Sequence, residues 1–224
     1  MLPHGLTGHF MPFNKTTMKR ISNKTIITEF YKNVIRLRKS ELIADYVHED
    51  YIQHSPMGKD GREALFEMVE FLKTLPPPDE TTQSPIANIL AEDDFVVAHL
   101  KLQFMGKHIE LMELFRVQDG LAAEHWDVTN EPIKFDEPII NASVSINNGL
   151  SNKGFIVSLY NKIDNIIIHN LIAEGDQVAV HAEFKSDKSI AMFDIFKLEG
   201  DKIIEHNYVK QEVPETMMHT NGMF

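Results

Sequence analysis

In each half of the chain, apolar positions recur first at the spacing of a helix and then at the alternating spacing of a β-strand. Each half therefore has a helical part followed by a strand-rich part. The helical spacing predicts amphipathic helices over 23–37, after an N-cap at Ser40, and from a capping box at Asp60 and Glu63 to Leu72. A short strand over 51–54 lies between them. From Pro85 onward the period is two, which predicts strands near 86–92, 95–104, 108–118 and 121–130.

The second half repeats the later part of this pattern, with a helix near 153–164 and strands near 166–174, 177–185, 190–199 and 202–211. The letters repeat as well. AEDDFVVAH (91–99) returns as AEGDQVAVH (173–181), and ELFRVQDGLAAEHWDV (113–128) returns as DIFKLEGDKIIEHNYV (194–209). Two blocks in the same order at nearly the same spacing indicate a duplicated unit.

These elements predict an α+β fold of two tandem units, each a curved antiparallel sheet packed on helices. We divide the chain into a flexible N-terminal extension (1–21), a first domain with the candidate active site (22–135) and a degenerate second domain (136–224). The long helices of the first unit have no obvious counterpart in the second. Without those helices, one apolar face of the second sheet would be exposed to solvent unless another surface packs against it. We therefore expect a pseudo-dimer within the chain or a homodimer.

The composition of the chain argues against several classes of binding partner and location. A net charge of −11 argues against nucleic acid and against an anionic membrane surface, since both attract clustered Lys and Arg. No apolar run reaches the length of a membrane span or forms the core of a signal peptide. Cysteine is absent, which excludes disulfides and thiolate nucleophiles and fits a cytoplasmic location.

The best candidate chemistry lies in the last strand of the first unit. His125 and Asp127 point to one face of that strand. A two-residue turn at 119–120 would place Leu114 opposite His125 and Met112 opposite Asp127, so that one imidazole and one carboxylate lie in an apolar wall. Such a pair can move protons at a carbon next to a carbonyl group. Tyr208 stands in the place of Asp127 in the second copy, which favours the first copy as the working site.

Other residues carry open alternatives. Trp126 points to the opposite strand face, where it is predicted to pack an interface, although it is also a candidate substrate contact. His99 recurs as His181, which fits either a structural hydrogen bond or a catalytic role. Together with His54, His125 and Asp127, His99 offers metal-ligand types, but the spacings match no metal motif, so we predict no metal and no organic cofactor.

Several short motifs carry a family resemblance. They are Tyr51-Ile52-Gln53-His54-Ser55-Pro56, Asp60-Gly61-Arg62-Glu63-Ala64, Glu113-Leu114-Phe115-Arg116-Val117 and Glu124-His125-Trp126-Asp127-Val128. Over roughly 25–132 the chain resembles the SnoaL-like polyketide cyclase family, within the nuclear-transport-factor-2-like superfamily of cone-shaped α+β folds. The second unit resembles the same family more weakly, and its end (212–224) looks like the C-terminal tail of single-domain relatives.

The resemblance implies a curved sheet wrapped on helices with a pocket inside the cone. It also implies that an acidic residue in the pocket, here Asp127, acts as general acid/base in an aldol-type ring closure without metal or cofactor. His54 would lie at the mouth of the cone. The superfamily also contains isomerases, dehydratases and proteins that are not enzymes, so fold alone does not give an activity.

The leading hypothesis is therefore a cofactor-free enzyme that uses general acid/base chemistry on a small apolar carbonyl compound, by cyclisation, isomerisation or dehydration. The candidate catalytic residues are Asp127, His125 and His99, and the candidate substrate contacts are His54, Tyr51, Met112, Leu114 and Trp126. One alternative is a non-catalytic protein of the same fold that binds a small ligand or acts as a scaffold. Another is a metal-dependent enzyme.

Overall fold

The computed structural model describes residues 21–77, 84–131, 150–200 and 202–224. The α+β prediction of two units is confirmed. The first unit comprises α1 (Asn23–Phe30), a π-helical turn (Tyr31–Arg36), a 3₁₀ turn (Ser40–Leu42), α2 (Ile43–Tyr46), β1 (Val47–Gln53), α3 (Arg62–Lys73), β2 (Ile86–Glu92), β3 (Phe95–Phe104), β4 (Lys107–Gln118) and β5 (Leu121–Thr129). The second comprises α4 (Asn152–Tyr160), β6 (Ile166–Glu174), β7 (Gln177–Phe184), β8 (Ile190–Glu199) and β9 (Lys202–Glu212).

Two of the predicted helix N-termini differ from those in the structure. Ser40 lies inside the 3₁₀ turn and does not cap a helix, so that N-cap prediction was wrong. The predicted capping box of α3 was also wrong, because Gly61 precedes the helix with φ +86° and no side chain caps it. The Asp60 carboxylate instead accepts a hydrogen bond from the Gln53 backbone N–H at 2.8 Å. Asp60 therefore fixes the end of β1 instead of the start of α3.

The first sheet has the order β1-β5-β4-β3-β2. Strands β2 to β5 form an antiparallel meander, and β1 pairs parallel with β5. Two-residue turns at 93–94, 105–106 and 119–120 connect these strands. The predicted turn at 119–120 is confirmed, since both central residues have positive φ (52° and 82°), as a type I′ turn requires. The parallel pairing of β1 brings the segment after Gln53 beside the middle of β5.

The second sheet has the order β6-β7-β8-β9 and carries α4 on one face. A register shift between its last two strands occurs at residues that are equivalent, in the sequence repeat, to those of a register shift in the first sheet. The β4–β5 register shifts between Arg116 and Val117, and the β8–β9 register shifts between the equivalent Lys197 and Leu198. A β-bulge is a sequence-specific feature, so its recurrence supports the duplication hypothesis.

Three apolar clusters hold the structure together. One lies between the first sheet and helices α1 to α3, and another lies between the second sheet and α4. The third lies between the two sheets, which pack face to face within the chain. Residues from both sheets form it, including Val97, Leu114 and Trp126 from the first and Ile195 and Val209 from the second. The two units thus share a core.

The edge strands β2 and β6 are joined by reciprocal contacts. The Glu174 carboxylate accepts a hydrogen bond from the Ala91 N–H at 2.8 Å, and the Glu92 carboxylate accepts one from the Ala173 N–H at 2.9 Å. Glu92 and Glu174 are equivalent positions of the sequence repeat. The contact is therefore self-complementary, like the interface of a two-fold symmetric dimer.

Two predictions lie outside the described residues: the N-terminal extension (1–21), of which only Ile21 is described, and the domain boundary between 135 and 136. Within the described ranges, no helix is long and apolar enough to cross a membrane.

Candidate functional site

The predicted register of β4 and β5 was wrong by one position. Because of the bulge after Arg116, Leu114 pairs with Trp126, and Met112 pairs with Val128. A shift of one residue moves every side chain to the other face of the strand. Leu114, Met112 and Trp126 therefore lie in the apolar cluster between the sheets, and none of the three lines a wall beside Asp127.

The same shift brings Glu113 into the site. Glu113 pairs with Asp127, and Phe115 pairs with His125 and stacks on its ring at a centroid distance of 4.5 Å. The metal-ligating atoms of Glu113, His125 and Asp127 all lie within 4.8 Å of one another. Two carboxyls and one imidazole thus form a cluster on the face of the sheet that the helices cover.

Gln53 sets the orientation of the His125 ring. The Gln53 side-chain oxygen accepts hydrogen bonds from His125 Nδ1 at 2.8 Å and from the Ser55 N–H at 3.0 Å. A carbonyl oxygen can only accept, so Nδ1 carries a proton and Nε2 is the atom that gains or loses one. His125 Nε2 lies 3.7 Å from Glu113 Oε1, which is too long for a hydrogen bond but close enough for an ion pair.

Burial and mutual charge shift the pKa values of this cluster. Burial raises the pKa of the Glu113 and Asp127 carboxyls above their usual range, although the neighbouring His125 opposes the shift. Burial alone lowers the pKa of His125, but the two carboxylates outweigh it, so the pKa of His125 is raised. Burial, and then the Asp127 charge, raise the pKa of the Tyr51 hydroxyl, which remains protonated.

The C-terminal tail of the second unit completes the surroundings of the first site. His219 Nε2 donates to the Ser55 carbonyl oxygen at 2.8 Å, and the Asn221 side-chain amide donates to the Gln53 carbonyl oxygen at 2.9 Å. The Ser55 side chain in turn hydrogen-bonds to Asp127. The last residues of the chain therefore support the segment that holds His125 and Asp127.

The structure places His54 outside the cluster. Its ring stacks on Trp126 at 4.6 Å, its Nε2 lies 2.9 Å from a Glu124 carboxylate oxygen, and its Nδ1 lies 3.0 Å from the Gly222 carbonyl oxygen. Both ring nitrogens are occupied by protein acceptors. His54 joins β1, β5 and the tail, and this arrangement does not bring it to the site as a substrate contact.

His99 also lies on the wrong face for the predicted catalytic role. It pairs with Met112, on the face that packs against the second sheet, and its Nε2 lies 2.8 Å from Glu110 Oε1. Only 2 % of the surface of His99 is exposed. Of the predicted substrate contacts, only Tyr51 lies near the cluster; its hydroxyl accepts a hydrogen bond from the Gln53 amide at 3.3 Å.

The residue types of the cluster also fit a divalent metal ion. An imidazole and two carboxylates suit zinc, iron or manganese. The predicted ligand set included His54 and His99, which lie elsewhere, and did not include Glu113. A cavity of about 550 Å³ opens near Ile26, Tyr46 and the turn at 119–120, but no residue of the cluster lines it. We place the candidate site at the cluster because an imidazole and two carboxyls, each able to ligate a metal ion, lie together there on the face that the helices cover.

Sequence reasoning missed Glu113, Gln53, Ser55, His219 and Asn221. For Glu113 a signal existed, because it lies within a repeated block and returns as another carboxylate, Asp194. For His219 and Asn221 the only signal was the family-like appearance of the tail.

The fold and site define a class of protein, an α+β sheet wrapped on helices with acidic and imidazole groups on the enclosed face. Residues 25–132 match the sequence model of the family described as SnoaL-like polyketide cyclase, which confirms the resemblance for the first unit. No curated protein matches the chain.

Solved structures show a general likeness to about half of the chain. TsrD from Streptomyces laurentii is 18% identical, with 50% of this chain and 90% of that chain covered and a TM-score of 0.41. An NTF2-like protein of unknown function from Cytophaga hutchinsonii is 16% identical, with 51% and 95% covered and a TM-score of 0.42. IdmH from Streptomyces antibioticus is 18% identical, with 49% and 92% covered and a TM-score of 0.40. These likenesses bear on no residue's role.

Proposed function

We propose that the first unit is a general acid/base catalyst that acts on a small, largely apolar carbonyl compound without an organic cofactor. The observation that carries the proposal is the cluster of Glu113, His125 and Asp127. Glu113 and His125 are buried, Asp127 is half-buried, and His125 Nε2 has no hydrogen-bond partner among the described residues. Buried polar atoms are normally paired, so an unpaired one needs an explanation, of which a catalytic role is one.

The raised pKa values of Asp127 and His125 support a sequence of proton transfers between them and the substrate. The Asp127 carboxylate takes a proton from the carbon next to the carbonyl group, which leaves an enolate. In a ring closure the enolate carbon attacks a second carbonyl carbon of the same molecule, and the protonated His125 donates its Nε2 proton to the resulting alkoxide. A proton then passes from Asp127 to His125, which restores both groups. Isomerisation and dehydration require the same two proton transfers in a different order.

Replacing the acid/base group tests this role. We expect Asp127→Asn to slow turnover by at least about 100-fold, since the amide cannot accept the proton. The measurement is deuterium uptake next to the carbonyl group, followed by NMR for a panel of small diketones and ketoesters in D₂O. Asp119→Asn makes the same chemical change at the exposed β4–β5 turn and serves as the control. Equal rates for the two variants would refute the assignment.

A metal-dependent enzyme is the second candidate, favoured by the ligand atoms that converge within 4.8 Å. In that case Glu113, His125 and Asp127 would hold the ion, which would supply a Lewis acid for the carbonyl oxygen. Metal analysis of protein purified without a histidine tag, and rates before and after chelation, separate the two candidates. Unchanged turnover by metal-free protein supports the first.

A carrier without chemistry is the remaining alternative. A carrier needs only an apolar lining, whereas this cluster buries two carboxyls and an imidazole at a cost in stability. Saturable ligand binding with no deuterium uptake from any member of the panel would favour the carrier.

A further inference from the structure

Helix α4 occupies in the second unit the place that α1 occupies in the first. Both helices begin with the letters SNK, at 22–24 and 151–153. The two serines cap their helices through the side-chain oxygen. Asn23 donates to the Asp93 carbonyl oxygen at 2.9 Å, and Asn152 donates to the carbonyl oxygen of the equivalent Gly175 at 3.1 Å. Tyr31 and Tyr160 are therefore equivalent residues.

The two tyrosines also make the same kind of aromatic contact with their sheets. Tyr31 meets Phe115 edge-on at a centroid distance of 6.0 Å and an angle of 88°. Tyr160 meets Phe196 at 6.3 Å and 86°. Phe115 and Phe196 are equivalent positions in the repeat, so each tyrosine approaches its sheet at the same place.

In the second unit, Tyr160 belongs to a closed hydrogen-bonded set. Its hydroxyl donates to Asp194 Oδ2 at 2.6 Å, and His206 Nε2 lies 2.6 Å from Asp194 Oδ1. Asp194 has 1 % of its surface exposed, and both of its oxygens are engaged. His206 stacks on Phe196, as His125 stacks on Phe115.

In the first unit, the equivalent set is open. The Tyr31 hydroxyl, Glu113 Oε2 and His125 Nε2 are buried, and none has a hydrogen-bond partner among the described residues. A buried polar atom without a hydrogen-bond partner destabilises the folded state, because its contacts with water are lost and not replaced. These three atoms belong to residues equivalent to the hydrogen-bonded set of Tyr160, Asp194 and His206. Their lack of partners indicates a site where a ligand forms the missing hydrogen bonds.

We infer that Tyr31, Glu113 and His125 together bind one oxygen atom of the ligand of the first unit. The tyrosine hydroxyl donates to that oxygen, the Glu113 carboxyl shares a proton with it, and His125 Nε2 lies beside it. Phe115 provides an aromatic wall. A planar enol or phenol fits this arrangement, because its single hydroxyl both donates and accepts.

This inference deepens the proposed function, on which its catalytic meaning rests, since an enol is what proton removal next to a carbonyl group produces. Tyr31 would be the residue that donates to the enolate oxygen. The test below needs no turnover, so the failure of one proposal is distinguishable from the failure of the other. Asp127→Asn with deuterium uptake decides the first, and Tyr31→Phe with ligand binding decides the second.

The binding experiment uses 4-nitrophenol as the probe, followed by its visible absorbance, with the full chain. We expect saturable binding, at least tenfold weaker binding by Tyr31→Phe, and no change for Tyr160→Phe, the same substitution in the closed set. Absence of saturable binding to the unmodified chain, or equal affinity of Tyr31→Phe, overturns the inference.

Unfolding in urea provides the second readout on the same two variants. Tyr160→Phe breaks a buried hydrogen bond and is expected to lower the urea midpoint, whereas Tyr31→Phe removes an unpaired hydroxyl and is expected to leave the midpoint unchanged or raise it. A midpoint for Tyr31→Phe lowered as much as that for Tyr160→Phe means that the Tyr31 hydroxyl is already paired within the protein. That result also overturns the inference.

Discussion

A single extra residue in β5 determines which side chains form the candidate site. The bulge opposite Arg116 and Val117 changes the alternation of β5, so that His125 and Asp127 share a face with Glu113 and Trp126 faces the second sheet. The alternation of β5 correctly placed His125 and Asp127 on one face. Their cross-strand neighbours depended on register, which nothing in the letters of the hairpin revealed, because the turn itself has the expected two residues.

Asp127 also makes stability depend on pH. Its folded pKa is raised above the unfolded value of about 3.9, so stability is greatest below that value and falls as pH rises through the folded pKa. We expect Asp127→Asn to match the unmodified protein below about pH 4 and to be more stable at higher pH, by about 1.4 kcal/mol per unit of pKa shift.

Urea unfolding at a series of pH values measures this difference, and Asp119→Asn, the same chemical change at an exposed turn, is measured beside it. A stability difference for Asp127→Asn that does not change with pH would contradict the raised pKa.

At the scale of elements, hairpins were predictable and helix starts were less so. Turn pairs such as Asp119-Gly120 need positive φ, which few residues adopt, so their letters are informative. The letters of Asp60 and Glu63 fit a capping box equally well, yet a backbone N–H from β1 competes for the Asp60 carboxylate. Long-range partners of this kind cannot be found from local sequence. The same holds for the tail, which reaches the first unit from the far end of the chain.

Met223 anchors that tail between the two sheets. Its side chain is fully buried in their shared cluster, whereas Met218 is largely exposed. We expect Met223→Ala to lower the free energy of unfolding by about 2–5 kcal/mol, and Met218→Ala to change it by less than about 0.5 kcal/mol.

Because residues 219–222 hydrogen-bond to the segment that supports the site, Met223→Ala is also expected to weaken 4-nitrophenol binding. Equal stability of the two methionine variants would mean that the tail is not anchored there.

For the whole molecule, the shared core predicts a single unfolding transition. Trp126 is the only tryptophan and lies in the cluster between the sheets, so its fluorescence reports on their contact. We expect the urea midpoint from fluorescence to coincide with the midpoint from far-ultraviolet circular dichroism, as in two-state unfolding. A fluorescence change at lower urea would show that the sheets separate before either unfolds.

The reciprocal contacts of Glu92 and Glu174 resemble a homodimer interface, but here the two sides belong to one polypeptide and can differ in sequence. In a homodimer every substitution occurs twice, once on each side of the symmetry axis. Where the two halves belong to one polypeptide, a change is made once, and their association does not depend on protein concentration. One half can then carry Tyr208 at the position of Asp127 and close its hydrogen bonds around Asp194, while both halves make equivalent contacts at the edge strands.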